Sequence, residues 1–316
     1  MATILLTGPS GFVGSNVLPA LIEAGHDVRA LVRGEAARAA VLRRLAPAAA
    51  EHVTFVTGDV TDAGSLGPAL RGVDAVVHLV AIARDWNDGA DLRRINTLGT
   101  VDLVHAMEAE GVRRLVHVGA MGVVDDPKLH YASSKAKAEA AVRASTLRWT
   151  ILKPSLIWGE RDGFFNVIAQ LVRTSPGVVP VPAGARSRFQ PLACADLAQV
   201  VVLALAREES VGNAYDLGGP EYWTYKEMVR ETLRGMGKRR LIAPVPLPLI
   251  KLVARLAEKV RIPFPVASDQ LRQLSFDNAS DLDVVERAWG FRPASMRGRL
   301  GYLARKPRDQ EPGAAA

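Results

Sequence analysis

The segment Thr7-Gly8-Pro9-Ser10-Gly11-Phe12-Val13-Gly14 constrains the fold more than any other part of this 316-residue chain. It follows a short apolar run, Thr3–Thr7. It opens a helical pattern in which Val13, Val17, Leu18, Leu21 and Ile22 recur at helical spacing. A strand, a glycine loop and a helix in that order make a cradle for a pyrophosphate. Gly8 permits the tight turn, Gly11 lets the backbone approach the phosphates, and Gly14 lets the helix pack closely on the sheet. The helix, expected to begin near Gly11, aims free N–H groups and its positive dipole end at the anion. A glycine-rich surface turn would lack these flanking elements.

The rest of the first half continues the alternation. Asp27–Arg33, Val53–Thr57, Ala75–Leu79, Arg114–Gly119 and Trp149–Lys153 read as further strands, short and without polar alternation, as in strands covered on both faces. Helical patterns such as Gly11–Ala24 and Leu92–Glu110 lie between them. This order predicts an α/β fold with a doubly wound parallel Rossmann sheet. The second half reads as mainly helical, at Phe164–Arg173, Cys194–Arg207, Thr224–Met236, Pro248–Lys259, Ser268–Leu274 and Ser280–Trp289, with one more strand at Ala214–Leu217. Thr224 and Glu227 have capping-box spacing. The expected division is a dinucleotide-binding domain over 1–154 plus about 191–217, a smaller, mostly helical substrate lobe over about 155–190 and 218–305, and a flexible tail at 306–316.

The end of the second strand discriminates between cofactors. An acid there binds the ribose 2′-hydroxyl of NAD, whereas Arg33 suits a 2′-phosphate through charge-assisted bonds. NADP(H) is therefore favoured, with NAD(H) as the alternative, and a solvated loop cation as the plain reading of Arg33. Gly58-Asp59-Val60 follows the third strand, and Asp59 there has two readings: contact with the adenine amino group, or a helix cap within the cap-forming run Thr57–Asp62. Val80 and Ala81, after the fourth strand, are small enough to let a dinucleotide close to the backbone.

These pieces, in this order, resemble the short-chain dehydrogenase/reductase superfamily in its extended and atypical branches. The matching residues are the loop Thr7–Gly14, Gly58-Asp59-Val60, Val77-His78-Leu79-Val80-Ala81, Asn96 in Ile95–Thr100, and Tyr131-Ala132-Ser133-Ser134-Lys135. Lys153-Pro154-Ser155-Leu156-Ile157-Trp158-Gly159 resembles the segment lining the nicotinamide. Arg188-Phe189-Gln190-Pro191, Ala195–Ala198, Leu217–Glu221 and Pro244–Pro248 resemble the branch of the NADPH-binding accessory subunit of respiratory complex I. The resemblance implies a cofactor site formed by Gly8, Ser10, Gly11, Phe12, Val13, Gly14, Arg33, Asp59, Val60, Val80, Ala81, Gly119, Tyr131, Lys135, Pro154 and Ile157.

Tyr131 and Lys135 lie one helical turn apart and share a face. A nearby ammonium lowers a phenol's pKa, so the pair would move the substrate proton while Lys135 also holds the nicotinamide ribose. Asn96 would support the proton path, or is a helix residue bonded to backbone. One departure stands out. Gly119 and Ala120 occupy the place of the family serine that polarises the carbonyl, and loss of one such donor costs ~100–1,000-fold in rate. Ser133, Ser134, a backbone N–H and His117 are the remaining donors nearby.

Other chemistry is narrowed by composition. A lone Cys194 leaves no disulfide framework or thiolate zinc site, and the six histidines show no metal-ligand spacing, so no metal is expected. Arg186 and Arg188 would bind an anion or pair with Asp196 or Asp216. No leader and no transmembrane span are expected, which points to a cytoplasmic protein, with peripheral membrane contact as a variant. The surplus of positive charge lies in residues 217–316, with 18 basic and 11 acidic side chains. It suits an acidic protein partner, a membrane surface or plain solvation; no nucleic acid is expected.

Three functions follow. The first is an NADP(H)-dependent oxidoreductase on a small carbonyl or alcohol substrate, apolar ones included. The second is a weakly catalytic or non-catalytic NADP(H)-binding accessory protein of a respiratory complex. The third is a nucleotide-sugar epimerase or dehydratase.

Overall fold

A computed structural model of the chain describes residues 1–175, 177–184, 187–246, 248–249 and 277–305. Most of the helix expected at Pro248–Lys259, the helix at Ser268–Leu274, Arg186 and the tail 306–316 lie outside those residues.

The chain folds into two compact units, Met1–Pro154 with Cys194–Asp216, and Ser155–Ala193 with the described residues of 217–305. It begins β1 (Thr3–Thr7), α1 (Gly14–Glu23), β2 (Asp27–Val32), α2 (Glu35–Leu42), α3 (Pro47–Ala50), β3 (Val53–Thr57), α4 (Ala63–Leu70) and β4 (Ala75–His78). α5 (Ala90–Leu92), a π-helical turn (Arg93–Leu98) and α6 (Gly99–Ala109) follow, then β5 (Arg114–Val118), α7 (His130–Ala144) and β6 (Arg148–Pro154). β7 (Ile157–Trp158), α8 (Phe165–Thr174), β8 (Val178–Pro182) and β9 (Leu192–Ala193) come next. α9 (Cys194–Ala206) and β10 (Asn213–Leu217) precede α10 (Tyr225–Gly235), β11 (Leu241–Val245) and α11 (Val284–Trp289).

The first unit is a doubly wound Rossmann sheet of seven strands in the order β10-β6-β5-β4-β1-β2-β3, with parallel pairing from β3 to β6. Sequence order reverses between β1 and β4. At such a switch point the loops at the strands' carboxyl ends diverge and leave a crevice for a ligand. Leu5, Val76, Leu115 and Ile151 turn one sheet face toward Leu66 and Leu70 of α4, Leu103 and Met107 of α6, and Val142 of α7. Fully burying side chains of this size stabilises by ~1.5–3 kcal/mol each. The opposite face meets α1 and α9, which pack on each other and on the strands.

Register decides where that first face becomes polar. Leu5 pairs with Val76 and Val76 with Leu115; two residues on, Thr7 pairs with His78 and His78 with His117. Residues two apart share a face. A polar row therefore lies one step toward the carboxyl ends, on the side covered by α6 and α7.

Two local outcomes differ from expectation. α1 begins at Gly14, three residues after the expected start, because Gly11–Val13 first close a turn with Gly11 N–H donating to Gly8 O. The expected continuous helix over Leu92–Glu110 is interrupted by the π-helical turn.

The second unit adds to its helices two two-stranded parallel sheets, β7 with β9 and β8 with β11. Pro180, Pro182 and Pro244 hid the latter pair, since proline is read as a strand breaker but is tolerated where every strand is an edge. The unit's core gathers Phe165, Val179, Val181, Trp223, Met228 and Leu300. The Thr224–Glu227 capping box forms as expected. Among the described residues no helix is long and apolar enough to cross a membrane.

Candidate active site

The glycine loop leaves β1 through Gly8, whose φ of 71° is in the left-handed region. A Cβ on Gly8 would lie 3.4 Å from the Leu79–Val80 backbone and the Val80 side chain, so the loop sits directly beside the end of β4. A Cβ on Gly14 would lie 2.1 Å from Gly8 O, so only glycine closes this turn. Phe12 O accepts from Ser15 Oγ at 2.8 Å and Asn16 Nδ2 at 3.0 Å, which fixes the loop from its outer side. No side chain caps the start of α1, and Gly11 is exposed. The loop thus keeps an uncapped helix N-terminus and a shallow backbone cradle, the features a pyrophosphate requires. Ser10, Phe12 and Val13 are half-buried on its rim.

Arg33 follows β2 and is exposed. Arg44, which the sequence gave no reason to single out, reaches back 34 residues to donate to Ser10 O at 2.9 Å. The Arg44 guanidinium therefore rests on the glycine loop. Asp59 is not the helix cap: Asp62 caps α4 by accepting from Gly64 N–H, while Asp59 Oδ1 closes a local turn, accepting from both N–H and Oγ1 of Thr61 at 2.9 Å. Val60 buries its side chain in the core and leaves only its backbone for the groove. Val80 is half-buried and Ala81 exposed, beyond the end of β4.

Tyr131 and Lys135 both lie on α7, Tyr131 half-buried and Lys135 buried. Lys135 Nζ donates to Val118 O, the last residue of β5, at 2.9 Å. Because β1 and β5 run parallel within one sheet, this ammonium is at the same sheet end as the glycine loop. Burial brings the Lys135 ammonium down to about 8, opposed by Glu139. Burial pushes the Tyr131 phenol up from its ordinary value. The expected lowering by Lys135 is not found. Desolvation of the phenol dominates, and the ammonium is directed at the Val118 carbonyl.

Asn96 is buried in the π-helical turn, and its side chain clamps one peptide. Oδ1 accepts from Ile82 N–H at 2.8 Å, while Nδ2 donates to Ile82 O at 2.9 Å and to Ser134 Oγ at 3.0 Å. Ser134 Oγ donates to Tyr131 O at 2.8 Å. This is the backbone-bonded alternative for Asn96, and it ties the loop after β4 to the tyrosine helix. That loop is itself well held. Asp85 accepts from the N–H groups of Gly89, Asp91 and Leu92, and leaves Trp86 exposed beneath the Arg84 guanidinium.

The place of the missing serine has no hydroxyl. Gly119 N–H donates to Leu152 O at 2.8 Å, so that backbone donor is already engaged. Ser133 donates to Asp125 at 2.6 Å, and Ser134 is held as described. His117 points into the layer beneath α7 and is 1% exposed, so it cannot reach a substrate. Its ring is held neutral by burial, by Lys135 and by His78.

The remaining candidates are dispersed. Pro154 closes β6 and accepts from Met121 N–H at 3.0 Å. Neighbouring Lys153 pairs with Asp216 at 3.0 Å. Ile157 belongs to β7 in the second unit. Arg188 has its carboxylate partner within the second unit. It grips Asp277 through Nε at 2.9 Å and Nη2 at 2.8 Å and lies over Tyr222. Cys194 is a buried cysteine at the start of α9. Among the described residues no His/Cys/Asp/Glu cluster could hold a metal ion.

Over residues 8–208 the sequence matches the NAD(P)H-binding family. Subunit 9 of the 1 alpha subcomplex of mitochondrial NADH dehydrogenase (ubiquinone) from Arabidopsis thaliana is 24% identical over 281 residues, 88% of this chain and 69% of that one. A 2-alkyl-3-oxoalkanoate reductase from Stenotrophomonas maltophilia is 27% identical over 264 residues, 75% of this chain and 77% of that one. The UDP-glucose 4-epimerase of Thermus thermophilus, solved with NAD, has the same fold, with a TM-score of 0.71 at 21% identity and 96% of each chain covered.

Proposed function

The chain belongs to the NAD(P)H-binding family, in the extended short-chain dehydrogenase/reductase superfamily, and on that premise we propose that it is an NADP(H)-dependent oxidoreductase acting on a small carbonyl or alcohol compound. The observation that carries this reading is the seating of Lys135 on the Val118 carbonyl with Tyr131 one turn away, at the sheet end where the glycine loop opens.

The loop fits the cofactor because the Gly8–Gly14 contact leaves no room for side chains and the helix start is uncapped. Gly8, Ser10, Gly11, Phe12, Val13 and Gly14 would hold the pyrophosphate, Arg33 with Arg44 the 2′-phosphate, and Lys135 the nicotinamide ribose. The bound nicotinamide supplies hydride chemistry. Tyr131 supplies the proton. Its raised pKa keeps the hydroxyl protonated at neutral pH, so it suits donation to a carbonyl oxygen, the reductive direction. Asn96 holds the loop after β4 in place beside this helix.

A second reading is favoured by one observation: Gly119 and Ala120 offer no hydroxyl to the substrate. The chain would then be an NADP(H)-binding accessory protein with little or no turnover, as its likeness to the Arabidopsis respiratory subunit supports. An acidic partner or membrane surface at the basic last third belongs to this reading. Epimerase or dehydratase chemistry is disfavoured by the same missing hydroxyl.

NADPH oxidation by the purified chain with 3-oxoalkanoates, aromatic ketones and quinones distinguishes them. Turnover that Tyr131→Phe abolishes supports the reductase. Tight NADPH binding without turnover, and recovery of the chain with a larger assembly, supports the accessory protein.

A further inference from the structure

His78 is fully buried, so it touches neither solvent nor a ligand, yet each ring nitrogen has a partner. Thr7 Oγ1 lies 2.7 Å from Nδ1, and Thr100 Oγ1 lies 3.0 Å from Nε2. The His117 ring stacks against it, with centroids 5.4 Å apart.

The direction of each bond follows from its neighbours. Thr100 Oγ1 stands 2.7 Å from the Asn96 carbonyl oxygen. A carbonyl only accepts, so the one hydroxyl proton of Thr100 goes there. Thr100 then offers His78 lone pairs alone, and Nε2 must carry the ring proton. In a neutral imidazole Nδ1 is left to accept, and the Thr7 hydroxyl is its donor. Thr7 Oγ1 in turn accepts from Leu79 N–H at 3.2 Å. A single sense runs from Leu79 to Thr7, His78, Thr100 and the Asn96 carbonyl. Beyond it, Asn96 clamps both polar groups of the Ile82 peptide and reaches Ser134. Burial and the nearby Lys135 keep the ring neutral, its pKa down to about 3.

We propose that His78 is a positioning residue, locked as the Nε2–H tautomer, which ties the strand beneath the glycine loop to the turn carrying Asn96 and so fixes Val80, Ala81 and Ile82 beside Gly8. The consequence for cofactor affinity rests on the proposed cofactor groove; the tautomer and the Asn96 clamp do not.

The test uses the whole chain labelled on histidine and asparagine nitrogens, in wild type, His78→Gln, His78→Leu and Thr100→Val. Long-range proton–nitrogen spectra at pH 7 and pH 5 report the tautomer. Exchange of the Asn96 side-chain amide reports the clamp, and calorimetry with NADPH reports the groove. The Nε2–H form is expected at both pH values. Asn96 should exchange slowly in wild type and His78→Gln, whose amide retains one donor and one acceptor, and quickly in the other two. NADPH binding should weaken about tenfold or more in those two, the scale of a lost buried hydrogen bond, and recover in His78→Gln. Where His78→Leu does not fold, Thr100→Val, which removes one hydroxyl and keeps the shape, decides. An Nδ1–H tautomer, an imidazolium at pH 5, or unchanged Asn96 exchange and NADPH affinity in Thr100→Val overturns the proposal. Should wild type bind no NADPH, the cofactor reading fails, while tautomer and exchange still decide the role of His78.

Discussion

Gly14 stands so close to Gly8 that a Cβ on it would lie 2.1 Å from the Gly8 carbonyl oxygen and 2.8 Å from Pro9 Cα. Both neighbours are backbone, so neither can swing aside. Gly14→Ala must therefore open the turn. Urea unfolding should show a loss on the order of 1–3 kcal/mol, the usual cost of overpacking, with the far-ultraviolet spectrum retained. An alanine variant as stable as wild type would mean that the loop is looser than described.

In the proposed cofactor site, Arg33 after β2 is the group that would discriminate NADPH from NADH. Arg33→Ala should weaken NADPH about 10- to 100-fold, as expected for a lost charge-assisted bond of ~1.5–3 kcal/mol, and leave NADH nearly unchanged. Arg44→Ala should act in the same direction and also loosen the loop at Ser10, whose carbonyl it holds. Equal NADPH and NADH affinities before and after Arg33→Ala would remove the argument for NADP(H).

Much of this was legible in the chain. The glycine loop and the apolar strands announce a Rossmann sheet because their pattern answers to local geometry, and Thr224 with Glu227 announces its own cap. Long-range bonds left no such trace. Nothing in Arg44 marks it as a partner of Ser10, since the two meet only after β2 and α2 fold. The π-helical turn hides within an ordinary helical period, and Asn96 becomes a clamp only because that turn aims it at Ile82. The environment of Tyr131 leaves no trace in the sequence for a related reason. Spacing reveals a shared helix face but not how much water the phenol loses.

Acid should expose the buried imidazoles. His78 has a folded-state pKa of about 3 against 6.5 when free. Its neutral form is favoured in the fold, so the stability it contributes is complete above about pH 6.5 and is lost as pH falls toward 3. His117 acts in the same direction. Unfolding free energies at pH 7, 5 and 4 should fall steadily, by roughly 1.4 kcal/mol per pH unit for each such histidine. His78→Gln should flatten the slope by one histidine's share. An unchanged slope in that variant would contradict the buried neutral ring.

Lys135 acts in the same sense in a higher pH window. Its ammonium, brought down to about 8 by burial, costs the fold stability while charged. That cost is relieved as pH rises from about 8 toward the ordinary lysine range. Lys135→Met should be more stable than wild type at pH 7 by an amount that shrinks by pH 10. A pH-independent difference would place the charge elsewhere.

On the chemical side, Tyr131→Phe should lower kcat about 100- to 10,000-fold, the range of general acid catalysis, with NADPH affinity retained. Ala120→Ser restores the hydroxyl that the family places after β5, and a donor of that kind is worth ~100–1,000-fold. Turnover should rise in that variant. Full activity in Tyr131→Phe would show that the proton comes from elsewhere.

The central claim is that the backbone between Gly8 and Gly14 holds a dinucleotide pyrophosphate, and calorimetric titration of the folded wild-type chain tests it most directly. Saturable NADPH binding, tighter than NADH and abolished in Gly14→Ala, is the predicted result. A folded chain that takes up neither nucleotide contradicts it.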